Sequence, residues 1–169
     1  MAQARAQFAA SARHRRLLVL SLHDLGNALR RQGRLTEALA AHEEALEISR
    51  TWHGKGIKDV HVVDSLVNLA RDLRPAGRLQ EARTRGHEAL TLARTFPPLR
   101  FGHHDRLLTT LHELGLTLRE IGDHHEALEL AEEALTIARR PGQPDSSRRR
   151  SHLARAVRDL QALRSPTSP

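Results

Sequence analysis

Cysteine, tyrosine and long apolar runs are missing from this 169-residue chain. Without cysteine there is no disulfide framework, no thiolate zinc site and no cysteine nucleophile, which fits a reducing compartment. Aromatic residues make up only 2% of the sequence. A core must therefore be built from Leu, Ala, Val and Ile, which favours closely packed helices over a β-sandwich or barrel. No apolar stretch approaches the roughly 20 residues that cross a bilayer, so we expect a cytoplasmic protein.

Charge is distributed unevenly along the chain. Lys55 and Lys58 are the only lysines against 25 arginines, a bias typical of a GC-rich genome. Residues 1–35 and 139–169 each carry a net charge of +6, and residues 36–138 carry −5. Arginine clusters such as Arg148 to Arg150 could bind nucleic-acid phosphates. Because no aromatic stacking residue or nucleic-acid motif accompanies them, a solvated surface is the preferred interpretation.

An internal repeat organises the sequence. Aligning Gly33, Gly77 and Gly122, which are 44 and 45 residues apart, brings the flanking residues into register. The matched positions before the glycines are Leu22, Leu25, Gly26, Leu29; Leu66, Leu69, Ala70, Leu73; and Leu111, Leu114, Gly115, Leu118. The matched positions after them begin with Glu37-Ala38, Glu81-Ala82 and Glu126-Ala127. Each glycine therefore marks the turn between two helices of one hairpin.

Each repeat predicts an antiparallel pair of helices. Leucines at i, i+3 and i+7 form an apolar stripe on the first helix, and alanines line the second. The expected helices are 14–32, 35–52, 58–75, 78–95, 103–121, 124–140 and 146–164. The last would cap the apolar end of the stack, and residues 165–169 would be disordered. The expected organisation is one all-α domain over residues 1–164, with repeats at about 14–57, 58–102 and 103–145 and a capping helix at 146–164.

The pattern resembles the tetratricopeptide repeat, in which W-x2-L-G-x2-Y is followed by A-x3-F and a further Ala. The first repeat reads Leu22-x2-Leu25-Gly26-x2-Leu29, then Ala38-x3-His42 and Ala45. The segment 111–134 is a second instance and 66–89 a weaker one. The long period and the phrase Gly102-His103-His104-Asp105 are similar to the long-loop subclass typified by kinesin light chains and by bacterial signalling proteins. The resemblance, over residues 13–140, implies a right-handed superhelical α-solenoid of about three helix pairs plus a capping helix.

The resemblance also implies a peptide groove along the inner face of each first helix. Candidate partner-binding residues carried onto this chain are His23, Asn27, Arg30, Asp64, Asn68, Arg71, Arg74, His112 and Arg119. The rest of that face is Leu20, Asp24, Arg31, Val67, Thr109, Glu113, Leu116 and Glu120. The amides of Asn27 and Asn68 can each donate to and accept from an extended peptide. Arg71 is the best single candidate for an acidic ligand.

Three of these arginines, Arg30, Arg74 and Arg119, share one repeat position. Stacked repeats would align them as a ladder of guanidinium groups that could hold carboxylates or phosphates. The alternative, which we favour, is that each cation complements the C-terminal end of its own helix. Family members that clamp chaperone carboxylates place Lys and Arg where this chain has His23, Thr109 and Glu113, which argues against such a clamp.

Histidine is abundant, with twelve residues, so a metal or acid–base site has to be considered. No His-Glu-x-x-His motif occurs. His103-His104-Asp105 and His124-His125 could approach each other, but adjacent side chains on a helix point in different directions. There is also no phosphate-binding glycine loop and no serine nucleophile elbow. We therefore expect no enzyme, no cofactor and no metal ion.

The expected function is a protein-protein interaction module, either an adaptor or scaffold or the sensing part of a regulator. It would bind a peptide or a partner helix in the inner groove. One alternative is a nucleic-acid-associated protein that uses its arginine-rich ends. Another is self-association through the first repeat, because Ala2 to Arg13 looks like the tail of a preceding second helix and would leave apolar surface at that end.

Overall fold

The computed structural model describes residues 2–51, 57–96, 103–139 and 147–164. Seven helices and no strands occupy these ranges, which confirms the predicted all-α class. The helices are α1 (Ala2–Arg31), α2 (Leu35–Thr51), α3 (Ile57–Leu73), α4 (Leu79–Arg94), α5 (His103–Ile121), α6 (His124–Arg139) and α7 (Ser147–Arg164). The tail predicted to be disordered, residues 165–169, lies outside the described residues.

Each of the three helix pairs turns at its glycine. Gly33, Gly77 and Gly122 have φ values of 76°, 74° and 94°, a left-handed conformation that costs glycine nothing. The amide of the next residue donates to a carbonyl five residues back, as in the 3.0 Å bond from Arg34 N to Leu29 O. This pattern satisfies the last carbonyls of the first helix while the chain reverses.

The first helix is longer than predicted. We expected a helix over 14–32 and interpreted Ala2 to Arg13 as the end of a separate, preceding helix, and this was wrong: α1 runs unbroken from Ala2 to Arg31. The physical reason is local, because residues 2–16 contain neither glycine nor proline and are rich in alanine and arginine. Nothing in that segment favours a turn.

The third helix is shorter than predicted. It ends at Leu73, whereas the expected range extended to residue 75, with Pro75 expected to kink or shorten the last turn. Pro75 has no backbone N–H and disfavours helical geometry in the residue before it, so the helix stops two residues earlier. The other helix boundaries agree with expectation within about two residues.

The helices stack in chain order into a solenoid. Each helix packs on the next, and α1, α3, α5 and α7 also contact one another in sequence, so these four helices line one side of the stack. The largest fully buried side chains are mostly leucines of α3 and α5, namely Leu66, Leu69, Leu111, Leu114 and Leu118. As predicted, α7 covers the far end, where Ala156 and Leu160 are buried against the core.

Candidate binding groove

An open groove of about 440 Å³ is lined by the second half of α1, the middle and later part of α3 and the first half of α5, on the side that these helices share. Its lining residues are Leu20, His23, Asp24, Asn27, Val63, Asp64, Val67, Asn68, Arg71, Asp105, Arg106, Thr109 and Thr110. All of them project from helices rather than loops, because the repeat places equivalent positions of successive helices side by side. The groove is therefore built on a rigid frame.

The groove combines an apolar strip with acidic side chains. Leu20 is 38% exposed and lies across from Val63 and Val67, which gives a ligand apolar surface to bury. Asp24 is exposed, and it has no hydrogen-bond or ion-pair partner within the described ranges. An incoming cationic side chain can therefore meet Asp24 without breaking an existing contact.

Both arginines of the groove are already engaged with carboxylates. Arg71 Nη2 lies 2.9 Å from Oε1 of Glu113, and its Nη1 donates to Asn68 Oδ1 at 3.5 Å. Arg106 Nε lies 3.1 Å from Asp64 Oδ1. The sequence singled out Arg71 as the cation for an acidic ligand, but in the folded chain its charge is offset by Glu113. The uncompensated charge in the groove is negative.

The pKa values of the two paired carboxylates are shifted in opposite directions. It raises the pKa of Asp64 above its ordinary value, and the nearby Arg106 only partly offsets this effect. Burial also raises the pKa of Glu113, but Arg71 and Arg74 outweigh it and the net pKa is lowered.

His23 forms the buried end of the groove, with 7% of its surface exposed. The Ser65 hydroxyl donates to the carbonyl of His61 at 2.8 Å, so its oxygen accepts from His23 Nε2 at 2.8 Å. Burial lowers the pKa of His23 to about 4, helped by the nearby His42 and His61. At neutral pH His23 is therefore an uncharged donor that joins α1 to α3.

The arginine ladder is used for contacts between repeats. Arg30 Nη1 lies 3.2 Å from Asp72 Oδ1, and its Nη2 donates to Asn27 Oδ1 at 2.7 Å. Arg74 likewise lies 3.4 Å from Glu113 and 3.2 Å from Glu120. The guanidinium groups of Arg30 and Arg74 thus join their helices to the next first helix. Arg30 and Arg119 also lie in the last turn of their helices, as the alternative that we favoured requires.

Two family models of the tetratricopeptide repeat match the sequence, one over residues 61–140 and one over residues 18–56. Together they span more than half of the chain. It belongs to the tetratricopeptide-repeat family. Such repeats typically form non-catalytic interaction modules, so the family indicates protein partners in general terms. Comparison with curated proteins gives no match.

A solved structure has a similar fold. The crystal structure of BtubC (BKLC) from P. vanneervenii superposes with a TM-score of 0.63, at 17% sequence identity, over 97% of this chain and 75% of that one. At this identity the likeness concerns the fold alone. It agrees with the tetratricopeptide solenoid described above.

Five of the nine predicted site residues meet in the groove: His23, Asn27, Asp64, Asn68 and Arg71. The other four lie outside it. Arg30 and Arg74 line a second hollow nearer the C-terminal ends of the same three helices, and His112 and Arg119 lie beside α7, where His112 Nδ1 is 2.6 Å from Asp159 Oδ2. Whether any of the nine binds a partner stays a prediction.

Sequence reasoning missed four lining residues, namely Val63, Thr110, Asp105 and Arg106. Asp105 and Arg106 belong to the first turn of α5, one turn before the predicted inner-face residue Thr109. Extending the helical face by one turn would have found Asp105. The same extension would have found Arg106, but not its ion pair with Asp64, which requires α3 and α5 to pack together.

No group of three or more potential ligands in the described part of the chain is arranged to hold a metal ion. Within the same ranges, none of the helices combines the length and apolar character needed to cross a membrane.

Proposed function

We propose that this tetratricopeptide protein is a cytoplasmic adaptor or sensing module whose groove binds a short peptide or partner helix. The observation that carries the proposal is the pairing of exposed apolar surface at Leu20 with the unpartnered carboxylate of Asp24, on helices that hold both in place. A ligand gains by burying apolar area and by meeting a fixed charge. The long period and the phrase Gly102 to Asp105 support membership of the long-loop subclass.

The charge of the groove defines the ligand further. Because Arg71 and Arg106 are offset by Glu113 and Asp64, the ligand should carry Arg or Lys rather than an acidic group. This reverses the acidic ligand that the sequence suggested. An aliphatic side chain two to four positions from the cation would lie over the apolar strip at Leu20.

Selection of peptides tests this proposal. A phage-displayed library of random 12-residue peptides is selected on the wild-type chain, and binding of the enriched peptides is measured by fluorescence anisotropy. We expect enrichment of peptides that combine a basic and an aliphatic residue. Their affinity should fall at least tenfold with Asp24→Lys, because this change replaces an attraction with a repulsion.

Glu47→Lys is the matched control, since it makes the same charge change at an exposed position of α2 outside the groove. It should leave the affinity nearly unchanged. Enrichment of acidic peptides, or equal losses in the two variants, would contradict the proposed groove.

Nucleic-acid binding through the arginine-rich ends stays a prediction of a different kind. If it occurs, the affinity for a duplex DNA oligonucleotide should fall steeply between low and moderate salt. Asp24→Lys should not weaken this affinity.

A further inference from the structure

One face of α1 exposes leucines at repeat positions that are buried in α3 and α5. Leu18 is 46% exposed and Leu25 is 51% exposed. At the same repeat positions the exposed fractions are 8% or less, at Val62, Leu69, Leu107 and Leu114. The difference is the neighbouring helix, because α3 is covered by α2 and α5 by α4, whereas no described residue packs over Leu18 and Leu25.

The contact between α4 and α5 shows what such a face accepts. Gly86 of α4 lies directly over Leu114, where a Cβ would come within 2.8 Å of Leu114 Cδ1. Only a very small residue allows this approach. The covering helix therefore presents its backbone to the leucine and runs antiparallel to α5.

Helix α1 carries the same residues as α5 at five repeat positions. The equivalent pairs are Leu18 and Leu107, Leu22 and Leu111, Leu25 and Leu114, Gly26 and Gly115, and Leu29 and Leu118. A surface with the same side chains at the same spacing fits the same type of covering helix.

Among the described residues, Glu44, beside this face, lacks the arginine partner that the equivalent glutamates of the other repeats have. Arg50 of α2 pairs with Glu88 of α4, and Arg94 of α4 lies 2.5 Å from Glu133 of α6. In both pairs an arginine near the end of the second helix of one repeat contacts a glutamate of the second helix of the next repeat. The two glutamates, Glu88 and Glu133, occupy the same repeat position. Glu44 holds that position in α2, is exposed, and has no partner in the described ranges.

We propose that Leu18 and Leu25, together with Glu44, form a docking site for one amphipathic helix of another protein. This helix runs antiparallel to α1, places a glycine or alanine over Leu25, and carries an arginine eight residues later that pairs with Glu44. The spacing is that of Gly86 and Arg94 in α4. The site lies apart from the groove and does not depend on its proposed function.

A second copy of this chain is a poor occupant of the site. The helices of the required type, α2, α4 and α6, are each packed between neighbours within their own stack. The terminal segments 1–35 and 139–169 both carry a net charge of +6, so two copies meeting by their ends would repel each other.

A synthetic peptide with the sequence of residues 79–96, labelled with fluorescein and capped at both ends, is a direct probe because it is helix α4 itself. We expect saturable binding to the full chain by fluorescence anisotropy. Leu25→Glu should weaken binding at least tenfold, because a charge would be buried under the peptide. Leu17→Glu is the matched control, since Leu17 is also 51% exposed on α1 but occupies a different repeat position.

A charge exchange tests the role of Glu44. Glu44→Arg should weaken peptide binding about two- to fivefold, the range expected for an exposed ion pair. A peptide with Arg94→Glu should regain this affinity on the Glu44→Arg variant and not on the wild-type chain. Binding that is lost with Leu25→Glu and with Glu44→Arg belongs to this site, whereas binding that is lost with Asp24→Lys belongs to the groove.

Three results would overturn the proposal. The first is no detectable peptide binding to wild-type chain whose helical circular dichroism is normal. The second is equal binding to the Leu25→Glu and Leu17→Glu variants. The third is a wild-type dimer in light scattering that becomes monomeric with Leu25→Glu, which would assign the face to a second copy.

Discussion

The two junctions between repeats fill the same position with different chemistry. Between repeats 1 and 2 the fully buried His42 ring lies 2.5 Å through Nδ1 from Asp72, which is also fully buried. Between repeats 2 and 3 the position of His42 is taken by Gly86, which lies against Leu114. At this position the first junction is thus held by a buried polar pair and the second by close apolar packing, while Arg71, Arg74 and Arg106 form ion pairs elsewhere across the second junction.

The polar junction is directional, whereas the apolar one depends on shape. Asp72 accepts from His42 on one oxygen and pairs with Arg30 on the other, so three helices must be in register at once. The histidine fits because Gly26 lies beneath it, where a Cβ would come within 2.5 Å of the ring. Buried polar pairs contribute little net stability, but removing one partner is costly. The first junction should therefore be the more sensitive one.

The largest effect is expected for Asp72→Ala. It leaves His42 without its buried partner and Arg30 without its carboxylate, and should lower the free energy of unfolding by about 3–5 kcal/mol. Urea unfolding followed by circular dichroism gives this value. Native-state hydrogen exchange should show that α1 and α2 lose protection first, since each repeat is coupled mainly to its neighbours.

Thr117→Ala is the control at the same position of repeat 3. Thr117 is equally buried, but its hydroxyl donates only to the Glu113 carbonyl of its own helix, at 3.0 Å. Loss of this hydrogen bond should lower the free energy of unfolding by about 1 kcal/mol. Similar costs for the two variants would contradict the contrast between the junctions.

The first junction should also be the one that responds to mild acid. The pKa of His23 is about 4 in the folded chain, against 6.5 for an exposed histidine. Between these values the unfolded chain binds a proton that the folded chain excludes, so stability falls as the pH decreases from 6.5 to 4. The loss from this residue is about 3 kcal/mol.

His23→Gln should remove this part of the pH dependence while keeping a donor for Ser65. The measurement is the difference between wild-type and variant unfolding free energies at pH 7, 6, 5 and 4, in which shared contributions such as the lowered pKa of Glu113 cancel. A difference that is independent of pH would rule out a neutral, buried His23.

Two glycines at one repeat position should respond in opposite directions. Gly26→Ala forces a methyl group into the His42 ring and should destabilise the chain by about 1–3 kcal/mol. Gly115→Ala meets nothing nearer than the Ala127 carbonyl oxygen at 4.0 Å. It should stabilise the chain by up to about 1 kcal/mol, because alanine favours helix. Thermal unfolding of both variants measures the two changes in stability. If both variants are stabilised, or both destabilised, the expected contrast between Gly26 and Gly115 is wrong.

Much of the fold was predictable because it is repeated locally. Leucine spacing and the glycines at 33, 77 and 122 predicted six helices in three hairpins, and the apolar stripe of residues 153–163 predicted α7 as a cap. The errors have local causes as well. The alanine-rich start of α1 continued the helix, and Pro75 ended α3 early.

The candidate site was only partly predictable. Helical periodicity places His23, Asn27 and Asn68 on the inner face, and they do line the groove. It cannot tell which charges remain uncompensated, because the partners are 42 residues apart in each pair: Arg71 with Glu113 and Arg106 with Asp64. Distant side chains meet only when the repeats stack.

The sequence by itself determined the helices, their turns and the family, since these follow from patterns that lie within one repeat of about 45 residues. Only the tertiary structure decided the sign of the uncompensated charge in the groove, the buried contact of His42 with Asp72, and which leucines of α1 stay exposed. Each of these depends on which residues of different repeats are brought together, and on which are left without a neighbour.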